Sequence, residues 1–203
     1  MFRESKYSMQ VLKCTELTDL PWKNGGGVTR NIAKGLTTDQ VAWTISRADV
    51  AQDGPFSDFA GMIRILTVVS GGKMALITPE KPLEATLWTP IRFDGGLPVS
   101  AQLDDGPLTD LNLMFNPTLC DGQVKVLRGP MEKIIRSPAR GLRALHVLAG
   151  TPRINSIPLA IGDTAFVDDA DQTLSMASAD AALEICLTYL DQTEAIKFCS
   201  AVR

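Results

Sequence analysis

Short strand-forming segments, each closed by glycine, proline or aspartate, succeed one another along this chain, and that rhythm constrains its fold more than any other feature. Residues 41–47 (VAWTISR) alternate, with Trp43, Ile45 and Arg47 on one face and Thr44 and Ser46 on the other. Residues 63–70 (IRILTVVS) are rich in β-branched side chains and run into Gly71-Gly72, after which residues 74–78 read as a return strand. Residues 91–93, 99–103 and 110–115 read as strands in the first half, and residues 143–148, 164–167, 173–176 and 183–190 in the second. Turn-punctuated strands at this spacing predict an all-β sandwich or barrel. Residues 193–200 carry the one helical signal, a short C-terminal helix.

The two halves share a pattern. Arg64-Ile-Leu-Thr-Val-Val-Ser-Gly71 aligns with Arg143-Ala-Leu-His-Val-Leu-Ala-Gly150, the arginines and the glycines lying at one common offset. Phe93 then matches Phe166 at a slightly shorter offset, and each half ends in an alternating strand. A duplicated strand, glycine turn and return strand implies a bicupin of two cupin-like β-barrel or sandwich lobes. Residues 1–127 would hold the N-terminal region and the first lobe. The Pro/Gly/Arg-rich residues 128–140 would connect the lobes, and residues 141–203 would form the second lobe with a C-terminal tail.

Composition excludes more than it suggests. A chain of 203 residues with net charge −3 creates no strong field for nucleic acid. Residues 1–14 include Arg3 and Lys6 but no apolar stretch of signal-peptide length, and no apolar run approaches a membrane span. Cys14, Cys120, Cys186 and Cys199 form no C-x-x-C pair, as expected of idle thiols in a reducing cytoplasm.

Metal chemistry of the usual cupin kind needs several histidines converging with a carboxylate. This chain has one histidine, His146, between Leu145 and Val147 on an expected strand, where it reads as an interior polar residue. No metal and no cofactor is expected, and no Ser-His or Cys-His nucleophile pair stands out. What does stand out is Pro21-Trp22-Lys23-Asn24-Gly25-Gly26-Gly27. Consecutive glycines let a ligand approach the main chain, and their N–H groups can point together at an anion. Lys23 adds a point charge, Asn24 a donor and acceptor, and Trp22 a flat wall. Arg47 and Arg64 lie on apolar strands, where an arginine needs a partner, either internal or a ligand carboxylate. The turn-rich residues 53–59 lie between those strands. Residues 109–114 (TDLNLM) alternate strictly, so Asp110, Asn112 and Met114 share one face, taken here as the interior, and Leu111 and Leu113 the other.

These residues carry a family resemblance. Trp22-Lys23-Asn24-Gly25-Gly26-Gly27-Val28-Thr29, Arg47, Gly54-Pro55-Phe56-Ser57-Asp58-Phe59, Gly61, Arg64-Ile65-Leu66-Thr67 and Asp110-Leu111-Asn112-Leu113-Met114 resemble, in order, the motifs of the HutD/Ves family. The resemblance covers most of the first 115 residues and is looser beyond. It implies a bicupin without the usual metal ligands, linked to bacterial histidine utilisation or stress responses and proposed to bind a pathway intermediate such as formylglutamate. Carried over, the ligand-binding residues are Trp22, Lys23, Asn24, Thr29, Arg47, Arg64, Asp110 and Asn112. Ala60 stands where a proline is common, Asn31 where a glutamate is frequent, Met62-Ile63 where an acidic residue often precedes the arginine, and Phe115-Asn116-Pro117 in place of a more basic stretch. The ligand is therefore less constrained than the fold.

Three functions follow as expectations. The first is a binding protein for a small anionic metabolite, with Arg47, Arg64 and Lys23 neutralising it and Asn24, Asn112 and Thr29 orienting it. The second is a metal-free enzyme on similar acids, with Asp110 or His146 as general base. The third is a protein-interaction role, with Leu111, Leu113 and second-lobe strands forming a homodimer surface.

Overall fold

The computed structural model describes residues 9–190 and 195–201. The expected N-terminal features at Arg3 and Lys6 lie outside the described residues, as does the start of the expected C-terminal helix. Among the described residues a single 3-10 turn, Cys14–Glu16, interrupts an otherwise all-β chain. Among the described residues no helix is long and apolar enough to cross a membrane.

The chain divides into two compact units, and the division is not the one expected from sequence. One unit joins the chain up to Glu16 with Gly122–Tyr189, and the other joins Leu17–Asp121 with the chain from Leu190 onward. Strand pairing is the reason. Gln10–Leu12 pairs with Thr164–Val167, and Lys197–Ser200 pairs with residues 33–36 of strand Gly27–Leu36. Lys197–Ser200 is thus a strand, not helix. Phe198 stacks at a tilt on Trp43, 6.1 Å between ring centroids, and that contact together with the ladder outweighs a weak helical preference. Nor are residues 128–140 a bare connection, because Met131–Ile135 is a strand on Gln172–Met176.

In the Leu17–Asp121 unit a seven-stranded sheet runs in the order Leu20–Pro21, Gly27–Leu36, Val41–Val50, Leu108–Phe115, Ile63–Gly71, Ile91–Asp94, with Lys197–Ser200 also on Gly27–Leu36. A four-stranded sheet comprises Gly54–Pro55, Ser100–Leu103, Met74–Ile77 and Leu83–Ala85. Leu66, Val68, Val50 and Leu108 from the larger sheet bury with Met74, Leu76, Ala85 and Ala101 from the smaller. The expected alternation of residues 110–115 belongs to a longer strand, buried throughout.

The other unit repeats the plan. Gln10–Leu12, Thr164–Val167, Gly141–Ala149, Ala181–Tyr189 and Cys120–Arg128 form one sheet. Met131–Ile135, Gln172–Met176, Arg153–Ile154 and Ile157–Pro158 form the other. Leu145, Val147, Ala165 and Val167 bury against Ile135, Ile154, Leu174 and Met176. The repeated glycines serve one purpose: Gly71 and Gly150 both take the left-handed backbone, at φ 89° and 73°, where each long strand turns.

Candidate functional site

Three adjacent strands build one wall of a cavity of about 670 Å³ in the Leu17–Asp121 unit. In Leu108–Phe115, Asn112 lies opposite Ser46 and Leu66, while Met114 lies opposite Thr44 and Arg64. Period-2 alternation therefore gathers Thr44, Ser46, Ala48, Arg64, Asp110, Asn112 and Met114 on the cavity side.

The polar heart of that wall is a relay. Arg64 Nε donates to Asn112 Oδ1 at 2.8 Å, and Asn112 Nδ2 donates to Asp110 Oδ1 at 2.5 Å. Because an arginine only donates, the first bond fixes the asparagine amide and hence the second. Arg64 is 7% exposed, and among the described residues it makes no ion pair. Its guanidinium carbon instead lies 4.5 Å from the ring centroid of Phe56 and 5.6 Å from that of Phe93. Burial lowers the arginine's pKa and the charge of Asp110 opposes that shift, yet a guanidinium stays charged in any protein interior. Asp110 is fully buried, and loss of solvation pushes its carboxyl up to about 6 against the pull of Arg64 and Asn112. Asp110 Oδ2 is buried without a hydrogen-bond partner, as is Thr44 Oγ1.

The glycine-rich segment folds as a tight turn at the cavity's edge. Gly25 N donates to Trp22 O at 3.0 Å and Trp22 N to Gly27 O at 2.9 Å. Asn24 Oδ1 accepts from Gly26 N at 3.0 Å. These bonds consume the N–H groups of Gly25 and Gly26, so the expected amide cradle for an anion is not formed by them. The glycines serve packing instead: a Cβ on Gly27 would stand 2.4 Å from Asp49 O and 3.0 Å from the Trp22 ring. Trp22 is thereby held as a wall, its Nε1 donating to Thr29 Oγ1 at 2.7 Å and its ring edge-on to Phe56. Lys23 and Asn24 are exposed at the rim.

The HutD family profile matches residues 14–185. The chain belongs to the HutD family. Protein Ves from Cronobacter sakazakii is 30% identical over 162 residues, 78% of this chain and 87% of that protein. An uncharacterized 21.2 kDa protein in the hutC 3' region of Pseudomonas putida is 38% identical over 112 residues, 54% of this chain. The chain spans only 59% of that relative's length. The solved structure of HutD from Pseudomonas fluorescens SBW25, in a formate condition, superposes with TM-score 0.80 at 26% identity, covering 91% of this chain and all of that one. The Escherichia coli pirin YhhW, in complex with nickel(II), shares the fold alone, at TM-score 0.67 and 10% identity.

Of the residues carried over by resemblance to HutD and Ves, seven line the cavity: Trp22, Lys23, Asn24, Thr29, Arg64, Asp110 and Asn112. Arg47 does not. The alternation that turns Thr44, Ser46 and Ala48 inward turns Arg47 to the opposite face, where it lies across from Leu111 and Arg30. That face holds its own network, in which Arg30 contacts Asp19 and Asp49 at 2.6 Å each and Asp49 also accepts from Thr109. Leu111 and Leu113 are fully buried within the single chain, so they offer no dimer surface. Thr44, Ser46 and Phe56 also line the cavity and were missed as site residues, although the alternation of VAWTISR already assigned Thr44 and Ser46 to one face.

The second unit of this HutD-family chain supplies an internal reference. Arg143, the repeat partner of Arg64, lies opposite Cys186, and Glu184 takes the position that Asn112 holds in the other unit. Glu184 Oε1 accepts from Arg143 Nη1 at 3.1 Å and from Lys133 Nζ at 3.2 Å. Ala182 stands where Asp110 would be. His146 is buried, with Nδ1 2.9 Å from Thr164 Oγ1. Among the described residues no group of three or more His, Cys, Asp or Glu is placed to hold a metal ion.

Proposed function

We propose that this HutD-family protein binds a small carboxylate metabolite, of the size and charge of formylglutamate, in the cavity beside Arg64, without a metal, and thereby tunes histidine catabolism or a stress response. The observation that carries this proposal is a buried guanidinium at a cavity wall with no carboxylate in contact. A buried lone charge is costly, and a ligand carboxylate held by its terminal amino groups would remove that cost. Lys23 at the rim adds long-range attraction, and Asn24, Thr29 and Asn112 supply orienting groups. Two or three charge-assisted hydrogen bonds, each worth about 1.5–3 kcal/mol, support roughly micromolar binding after association costs. The duplicated strand pattern supports reading the scaffold as a bicupin, and the net charge of −3 supports a function without a nucleic-acid partner.

Calorimetry with formylglutamate, glutamate and urocanate tests this proposal. Saturable heat from at least one acid, lost in Arg64→Ala, is expected. Absence of heat from all three sinks it.

One observation favours a second function. A buried carboxyl held near 6 beside a cavity is what general acid–base chemistry uses. Turnover of such an acid by the purified protein, abolished in Asp110→Asn, would make the chain an enzyme. Binding without turnover leaves it a binding protein.

A further inference from the structure

We propose that the cavity takes up its anion together with a proton, which Asp110 accepts at Oδ2. This inference rests on the anion-binding function above and adds how that binding responds to pH.

The geometry starts from charge. Arg64 is the cation on the cavity wall nearest to Asp110, and it reaches Asp110 only through Asn112. The carboxylate form of Asp110 depends on that one positive field and on a single hydrogen bond at Oδ1, while Oδ2 has no partner. The other facing groups give no help. On its own strand Asn112 and Met114 are neutral. On Val41–Val50 the residue opposite is Ala48, and Asp49 adds a like charge that disfavours ionisation. On Ile63–Gly71 the residue opposite is Val68. On Ile91–Asp94, Phe93 faces Arg64, and Arg92 reaches instead toward Asp121 at 3.7 Å. From strand Gly27–Leu36 the cavity receives Thr29, and Lys23 stays at the exposed rim.

An anion seated on the terminal amino groups of Arg64 cancels the field that keeps Asp110 ionised and adds a second negative charge beside it. Two carboxylates then share one guanidinium in a buried site, and the cheaper state protonates one of them. A free ligand carboxyl titrates well below neutrality, and the ligand keeps its charge by contact with the guanidinium, so the proton goes to Asp110. No covalent bond changes; solvent supplies the proton and Oδ2 holds it. The bare carboxyl already sits at about 6, so a modest upward displacement carries it across neutral pH. Affinity is then flat below about pH 6 and falls by about tenfold per pH unit above it, until the bound-state pKa is passed.

The test is calorimetry of the full chain with formylglutamate and glutamate as probes, in pairs of buffers that are neither carboxylates nor phosphate, matched in pKa to each pH and differing in ionisation heat. At pH 7 the difference in heat is expected to report uptake of about 0.4 proton per anion bound for a one-unit rise in the Asp110 midpoint, and more for a larger rise, declining to nearly none at pH 5. Asp110→Asn, a neutral isostere, is expected to bind with no buffer-dependent heat, with affinity flat in pH, and more tightly than wild type at pH 8. Should that variant not fold, the ¹³C carboxyl resonance of Asp110 in the wild type gives the same answer, its titration midpoint rising by about one unit or more with ligand. Binding with buffer-independent heat and an unmoved Asp110 midpoint overturns the inference and leaves the binding function standing. Absence of binding by every probe at every pH removes both.

Discussion

Arg64 and Arg143 occupy the same place in the two copies of one strand pattern, and their neighbours treat them differently. Arg143 meets Glu184 at 3.1 Å, and Lys133 shares the same carboxylate oxygen. Arg64 meets the neutral Asn112, and the acid that follows, Asp110, is one side chain further away. One unit thus pairs its arginine directly with a carboxylate, and the other leaves its arginine beside a cavity with no carboxylate in contact. The pair separates packing from charge on one scaffold: both strand positions hold an arginine, and the residue at the Asn112/Glu184 position sets whether that arginine meets a neutral amide or a carboxylate.

Copying one unit's solution into the other should break the difference. Asn112→Glu combined with Asp110→Ala reproduces the Glu184/Ala182 pair, and anion affinity is expected to fall more than about a hundredfold, roughly 3 kcal/mol, by calorimetry. Retention of affinity within about threefold would show that the asparagine does not matter.

The cavity's acid should also leave a mark on stability that the second unit, with Ala182 there, lacks. Asp110 has its folded pKa at about 6, above the ordinary aspartate value of 3.8. Between those values the folded state holds a proton that the unfolded chain has released, so this residue's contribution falls as pH rises from about 4 to 6 and is constant above. The loss amounts to about 2–3 kcal/mol. Asp49, whose carboxyl Arg30 and Thr109 hold low against the opposing effect of burial, contributes in the opposite sense as acid is added. The signature is therefore the difference between wild type and Asp110→Asn in urea unfolding, expected to grow from pH 4 to pH 6 in favour of the variant.

Removing the internal neutraliser sharpens the other side of the comparison. Glu184→Gln leaves Arg143 and Lys133 without their shared acceptor charge. These side chains are only partly buried, so solvent screens them, and the expected cost in urea unfolding is about 1 kcal/mol, with anion affinity unchanged. The smallest effect belongs to Arg47→Ala. Because Arg47 lies on the face away from the cavity, affinity should stay within about twofold, and a large loss would mean that this face communicates with the site.

Much of this arrangement is legible in the sequence, and the exceptions have physical causes. The alternation of Thr109–Met114 assigned Asp110 and Asn112 to one face because a strand has only two faces. The same alternation in VAWTISR carried Arg47 away from Thr44 and Ser46, yet charge chemistry drew attention to the arginine rather than to its small polar neighbours. Strand Gly27–Leu36 was overlooked because Gly27, Asn31, Lys34 and Gly35 are poor strand formers. It is held by partners on both sides, and Gly35 lies where a Cβ would strike the Trp43 indole. The Gly25 and Gly26 amides looked available for an anion because nothing in a linear string reveals that Trp22 O and Asn24 Oδ1 would capture them. The exchange of terminal strands between units was equally invisible, since ladder partners distant in sequence leave no local trace.

The central claim can be tested on both arginines at once by following their side-chain Nε–H resonances in ¹⁵N-labelled protein during titration with formylglutamate, glutamate and urocanate. An Arg64 with no contacting carboxylate and an Arg143 paired with Glu184 predict that one acid moves the Arg64 signal saturably while the Arg143 signal stays fixed. An Arg64 signal unmoved by every acid, or one that shifts only in step with Arg143, would contradict it.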